Sequence, residues 1–463
     1  MISFSNFDYI IIFAFFSVVI FLGFLPKLQK GNSAESYLLS NRNVGLFLFI
    51  LTNVATWYGG ILGVGEFTYH YGLLSWFTQG LPYYIFAILF AFLFAGKIRN
   101  ASLFTIPDKL EEVYGRKVGL FSSLLVFILV SPAPYLLMIA SLLNLIFGIS
   151  IFTSLIIGVF LSSIYLFKGG YKANIFTDAF QFFVMFIGFA AIVIVAVTSL
   201  GGFEFLQLNL PESHLTFSGG ASPLFIVVWF LIALWTFADP GFHQRCYSAK
   251  NSNVAKYGII ISVLFWILFD FLTTVTGLYA RAAIPNMENA VLSFPLLAES
   301  ILGSGLKGLF YAALFATILS TLNSFLFLSA TTFGRDFVFK LKREVSENNL
   351  IKYTRIGIVV SAIISILLAY QFSSVVEIWY TIGSVIIPGI VLLIISAYTE
   401  KLKISNKYAL TESIVAVSSS IAWLFLRPYF TEHRILSEVE PMIVGMLVAV
   451  VIHLWGLKRK RQD

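Results

Sequence analysis

Residues 55–72 read ATWYGGILGVGEFTYHYG, an apolar stretch that carries Gly59, Gly60, Gly63 and Gly65 with Glu66 beside them. Glycine lowers the cost of leaving helical geometry. Two arrangements suit the pattern. One is close helix packing through small residues; the other is a helix broken inside a membrane, so that its carbonyls can face an ion. The choice depends on what else in the chain departs from an ordinary span.

The surroundings are those of a membrane protein. Of 463 residues, 59% are hydrophobic and only 11% are charged, and 49 are Phe. A soluble domain cannot hide that much apolar surface. A spanning helix needs about 20 mostly apolar residues. Thirteen stretches qualify: 8–25, 45–71, 74–96, 118–147, 150–167, 173–199, 222–241, 256–280, 307–333, 355–372, 377–398, 406–426 and 440–457. No hydrophilic stretch between them is long enough for a catalytic or receptor domain. The first has no basic residue before it and is followed by Lys27, Lys30 and Arg42, so it reads as a retained anchor.

With the N-terminus outside, the cytoplasmic segments are 26–44, 97–117, 168–172, 242–256, 334–355, 399–407 and 458–463. They hold 26 of the 30 Lys and Arg, the asymmetry expected of inside-facing loops. The net charge of +7 therefore reflects one membrane face and not a nucleic-acid partner. Cys246 is the only cysteine, which excludes intrachain disulfides and cysteine metal sites. Phosphate-binding glycine loops and the HExxH and GxSxG motifs are absent. The chain reads as a protein of the cytoplasmic membrane, not an enzyme, with no obligate protein partner.

Three further places break the apolar pattern. The seventh stretch runs into LWTFADPGFHQRCYSAK, where Asp239-Pro240-Gly241 is a strong helix stop. That stop suits an ordinary helix end at the cytoplasmic face. It also lies five spans after the glycine-rich second stretch, as in transporters built from two inverted halves. The sixth stretch opens KGGYKANIFTDAFQ and places Asp178 about 9 Å beyond Lys172, at about 1.5 Å per residue. Asp270, in WILFDFLTTVTG, lies deep in the eighth. A carboxylate at such depth costs a few kcal/mol unless it faces protein, water or an ion.

The ninth stretch contains FATILSTLNSFL at 315–326. Thr317, Ser320, Thr321 and Ser324 stand at i, i+3, i+4 and i+7 and share one helix face. Bonds back to their own helix would account for one or two such hydroxyls, and less well for a continuous stripe. Hydroxyl and carbonyl oxygens suit a hard monovalent cation, so sodium fits better than proton coupling, for which Asp178 remains the candidate.

These segments together resemble the sodium:solute symporter family, over roughly residues 35–400. That family includes bacterial proline, sialic acid and galactose transporters and the animal sodium–glucose carriers. The pieces that carry the resemblance are ATWYGGILGVGEFTYHYG, KGGYKANIFTDAFQ, DPGFHQRCYSAK and LFYAALFATILSTLNSFLFLSATTFGRDF, in this order and spacing. The resemblance implies an all-α polytopic fold of about thirteen transmembrane helices with a ten-helix, five-plus-five inverted-repeat core of the LeuT type. Residues 1–44 would form an extra helix and loop, 45–200 and 201–398 the two halves, and 399–463 two further helices and a basic tail.

The resemblance also implies sites. Sodium, the coupling ion, would be held by the carbonyls of Asn53, Thr56 and Thr317 and the side chains of Ser320 and Thr321. Some relatives carry Asp where this chain has Ala55. Certain members bind a second sodium, here matched by Asp178, Ser320, Asn323 and Ser324. Solute-contacting positions correspond to Gly60, Gln79, Trp235 and Tyr380, with Glu66 nearby. The implied function is sodium-coupled import of a small polar solute (sugar, sialic acid, amino acid or carboxylate) through the bilayer by alternating access. The alternatives are a proton-coupled transporter of the same fold using Asp178 or Asp270, a membrane sensor, or a channel.

Overall fold

The computed structural model describes residues 3–26, 33–342, 346–371, 375–430, 436 and 439–460. Among them, ten helices are long and apolar enough to cross a membrane: Asn6–Phe24, Trp76–Asn100, Arg116–Phe147, Leu166–Leu200, Pro223–Ser248, Ser252–Ala283, Leu306–Lys342, Glu347–Gln371, Asn406–Phe430 and Pro441–Lys460. The other three apolar stretches are also helical: Leu46–Ala55 with Ile61–Tyr71, then Ile151–Ser163, then Val375–Ala397. In chain order these are called the first to thirteenth spans. Each overlaps a stretch read from the sequence. Apart from one bridge between Val44 and Ala249, no β-structure occurs among the described residues.

Helices start where the sequence supplies side-chain oxygens for their first free amides. Ser150 accepts from the Thr153 amide, Ser222 from Phe225 and Asn251 from Val254. Asp8 goes further. It shares a capping box with Ser5, and its Oδ1 accepts from the amides of Gly305 and Gly308, both at 2.8 Å. That carboxylate docks the first span onto the start of the ninth. Gly308 permits the approach, because a Cβ there would lie 2.6 Å from the Asp8 backbone.

The ninth span is the buried axis of the molecule. All of its most apolar 18-residue window is inside the protein, against a third of that window in the first span. It packs on the sixth span, the first and both pieces of the second. A helix without a charged face can be surrounded by protein in this way. Its hydroxyl stripe therefore faces protein and not lipid.

The end of the bundle that carries most of the basic residues is closed by polar contacts. Arg42 donates to the carbonyls of Leu103 at 2.9 Å, Ser102 at 3.0 Å and Tyr247 at 3.3 Å, and it pairs with Glu35. The Val44 amide reaches the Ser248 carbonyl, and the Lys250 amide reaches that of Val44. Beside this seam, Asp108 pairs with Arg335 at 2.7 Å and Lys340 at 2.8 Å. Burial opposes charge on Asp108, yet the two cations hold its carboxyl below the usual range.

Cys246 lies fully buried behind this seam. Arg42→Ala is expected to raise the rate of Cys246 alkylation about tenfold, as a loss of about 1.4 kcal/mol from the closed state would give. An unchanged rate would show that the seam does not hold this end shut.

Candidate ion and solute site

The glycine-rich second span is broken. Helix Leu46–Ala55 ends at Thr56, and helix Ile61–Tyr71 begins after Gly60. The Trp57 amide turns to the Val54 carbonyl at 3.2 Å, so the Asn53 carbonyl loses its helical donor. Of the two arrangements open from sequence, the break is the one formed. Small residues serve it too: a Cβ on Gly59 would overlap the side chain of Thr321.

The ninth-span stripe meets this break. Ser320 Oγ donates to the Ala55 carbonyl at 2.7 Å and to the Thr317 carbonyl at 3.0 Å. Thr321 Oγ1 donates to the Thr56 carbonyl at 3.0 Å and to the Thr317 carbonyl at 3.3 Å. Each hydroxyl thus bonds both its own helix and the broken one. Three carbonyls and two hydroxyls converge in a space closed to solvent. The carbonyls of the break that meet the hydroxyls are those of Ala55 and Thr56; the Asn53 carbonyl, also expected at the site, is freed one turn earlier and bonds neither hydroxyl. Thr317 uses its own hydroxyl on the Leu314 carbonyl, which leaves its backbone oxygen for the site.

The other end of the stripe is joined to the sixth span. Asp178 is fully buried and accepts from Thr52 Oγ1 on the second span, not from the start of its own helix. Asn323 donates to the Tyr165 hydroxyl, and Ser324 Oγ accepts from Asn174 Nδ2 at 2.6 Å. Asp178 Oδ1 and Asn323 Oδ1 are buried acceptors with no hydrogen-bond partner among the described residues.

Arg245 was missed by the sequence reading, which counted it as one more inside-facing charge. It is 3% exposed and sits among these groups. Its Nη1 donates to the Gly241 carbonyl at 3.0 Å. Its Nη2 reaches Ser324 Oγ at 3.4 Å and the Thr52 carbonyl at 3.4 Å, and bonds Thr56 Oγ1. The available signal was its position in helical register, four residues after Gly241.

That register follows from a correction. The seventh span does not end at Asp239 but continues to Ser248. It is interrupted, first after Ile232 and again at Asp239, whose carboxylate accepts from the Phe242 amide at 2.8 Å and starts a new helix. Asp-Pro is a stop for one helix and a cap plus first-turn residue for the next. Interrupted second and seventh spans therefore meet at one place.

A cavity of about 210 Å³ lies between the breaks. It extends from Asn53, Thr56 and Arg245 to Phe67, Ser75, Trp76 and Trp229, at the end away from the basic seam. Gly60, Gln79 and Trp235 line it. Trp235 packs against Gly383, where a Cβ would come within 2.7 Å of the indole. The π-helical turn Trp76–Gly80 directs Trp76 and Gln79 inward, a local unwinding often found at functional sites.

Glu66 does not line the cavity. Gly60, Gly63, Val64 and Phe67 face it at helical spacing, and Glu66 falls on another side of that helix. The side chain of Tyr380 lies outside the described residues. Asp270, whose partner was unreadable from sequence, lines the cavity and accepts from the Tyr84 hydroxyl.

Comparison with known proteins decides what this arrangement is. Residues 37–415 match the Sodium:solute symporter family. The chain belongs to the sodium:solute symporter family. It is a multi-pass membrane transporter coupled to sodium, and not an enzyme. Among curated relatives, the sodium/pantothenate symporter of Haemophilus influenzae is 25% identical over 94% of this chain and 93% of its own length. The high-affinity choline transporter 1 of Caenorhabditis elegans is 25% identical over 76% of this chain and 65% of its own length. A solved Na+-coupled sialic acid symporter shares the fold, with a TM-score of 0.81 at 18% identity over 99% of this chain and 98% of that one. Pantothenate and sialic acid are anions and choline is a cation, so these relatives carry solutes of either charge.

Proposed function

We propose that this family member imports a small polar organic solute across the cytoplasmic membrane, with the N-terminus outside and the C-terminus in the cytoplasm. Residues 45–200 and 201–398 act as the two halves that rock about the site, and their broken helices meet there. Sodium sits between the carbonyls of Asn53, Ala55, Thr56 and Thr317 and the side chains of Ser320 and Thr321. The observation that carries this reading is the pair of hydroxyls bridging the ninth span to the break. Hydroxyl protons that now point at carbonyls turn away when a cation arrives, and lone pairs from both helices face it. Binding therefore ties the halves together in the state with the basic face closed.

Asp178, Asn323 and Ser324 form a second cation position with Ser320, supported by the two buried acceptors that lack donors. Across 100 mV each charge contributes about 2.3 kcal/mol, and a tenfold sodium gradient about 1.4. One ion then supports roughly 500-fold accumulation of a neutral solute, and two ions roughly the square of that.

Sodium alone tests the site. Adding sodium to the purified protein is expected to raise its unfolding temperature, while potassium at equal ionic strength does not. Equal shifts from both salts would overturn the assignment. A pH gradient driving uptake into sodium-free proteoliposomes would favour proton coupling through Asp178 or Asp270 instead.

A further inference from the structure

We propose that the carried solute is an organic cation, an ammonium compound about the size of choline, held between indole faces and Asp270. This rests on the reading of the cavity as the solute site. The wall carries Trp57, Trp76, Tyr83, Trp229 and Trp235. Trp57, Trp76, Tyr83 and Trp235 are half-buried, so part of each ring is open to the cavity. Trp57 is held edge-on by Tyr83 at 5.2 Å and stacked on Trp266 at 4.8 Å. Rings fixed in this way present faces that attract a cation.

The ionisable groups of the wall bear on the charge of the solute. They are Arg245, Asp239 and Asp270. The two Nη atoms of Arg245 are held by Gly241, Thr52, Thr56 and Ser324, while its Nε is buried without a hydrogen-bond partner among the described residues. Asp239 caps the helix that follows it. Asp270 accepts from Tyr84, and no ion pair reaches it among the described residues. It lies against Gly80, where a Cβ would be 3.1 Å from Oδ2, on the same π-helical turn that carries Gln79. A carboxylate at membrane depth is expensive without a counter-charge; a cationic solute supplies one. Gln79 is the one carboxamide of this wall besides Asn53, which is too few for the hydroxyls of a sugar.

The test compares charge at constant shape. Purified full-length protein in saturating sodium is titrated calorimetrically with choline, tetramethylammonium, the neutral isostere 3,3-dimethylbutan-1-ol, proline and pantothenate. The cations are expected to bind at least tenfold more tightly than the isostere, proline or pantothenate. Asp270→Asn is expected to lower cation affinity by about tenfold to a hundredfold, with Asp270→Glu recovering part of it. If the isostere binds as well as choline, or neither cation binds, the proposal is wrong. Should the Asp270 variants fail to fold, the wild-type comparison decides by itself. Sodium-induced stabilisation measured without solute separates the two levels: its absence defeats the sodium-site reading, while its presence with no cation preference defeats only this one.

Discussion

Replacing Ser320 and Thr321 together by alanine is expected to reduce sodium affinity by roughly two orders of magnitude. Each hydroxyl is buried and bridges two carbonyls, one on its own helix and one on the break. Removing a buried polar partner costs about 1–3 kcal/mol, so about 3 kcal/mol for the pair corresponds to about 150-fold. The measurement is the sodium concentration that half-saturates thermal stabilisation. Ser304→Ala serves as control, because Ser304 is bonded to Ser5 near the chain's first helix, away from the break. A comparable loss in the control would show that hydroxyls in general, and not this pair, set sodium dependence.

Arg245→Met is expected to be the most damaging single change to folding. The guanidinium lies with Thr52, Thr56 and Ser324, and Thr52 is itself bonded to the buried Asp178. Arg245 and Asp178 make no direct ion pair but share Thr52; breaking a buried charge pair costs about 3–5 kcal/mol, which bounds the loss expected here. Most of the purified protein should then be lost from the monodisperse fraction in size-exclusion chromatography. Adding Asp178→Asn removes the stranded charge and is expected to restore that fraction while sodium stabilisation stays impaired. If Arg245→Met alone is as stable as the parent, Arg245 is not balancing Asp178.

The hydroxyl stripe was legible because helical period depends only on local geometry. Thr317, Ser320, Thr321 and Ser324 share a face in any α-helix. Membrane spans were legible for a similar reason: the bilayer fixes helix length and the charge of the loops. The glycines of residues 59–65 marked a place where the backbone was free to depart from a helix, without saying whether it would. Asp239-Pro240 marked a helix stop, but the same dipeptide also starts a helix. Only packing against the other spans decides that the chain continues in line to Ser248.

The chain by itself therefore determined the class of protein, its spans and the oxygen-bearing face, all consequences of local period and of transfer into a bilayer. Tertiary structure decided which groups that face meets. Ala55 joins Thr56 opposite the hydroxyls, Arg245 turns from a loop charge into the centre of a buried network, and Asp270 finds Tyr84 and the cavity. Glu66 drops out because a helix turns 100° per residue and its neighbours already hold the inward side. Such pairings join residues from about 80 to 265 positions apart, and nothing in local sequence records which distant helix will pack against which.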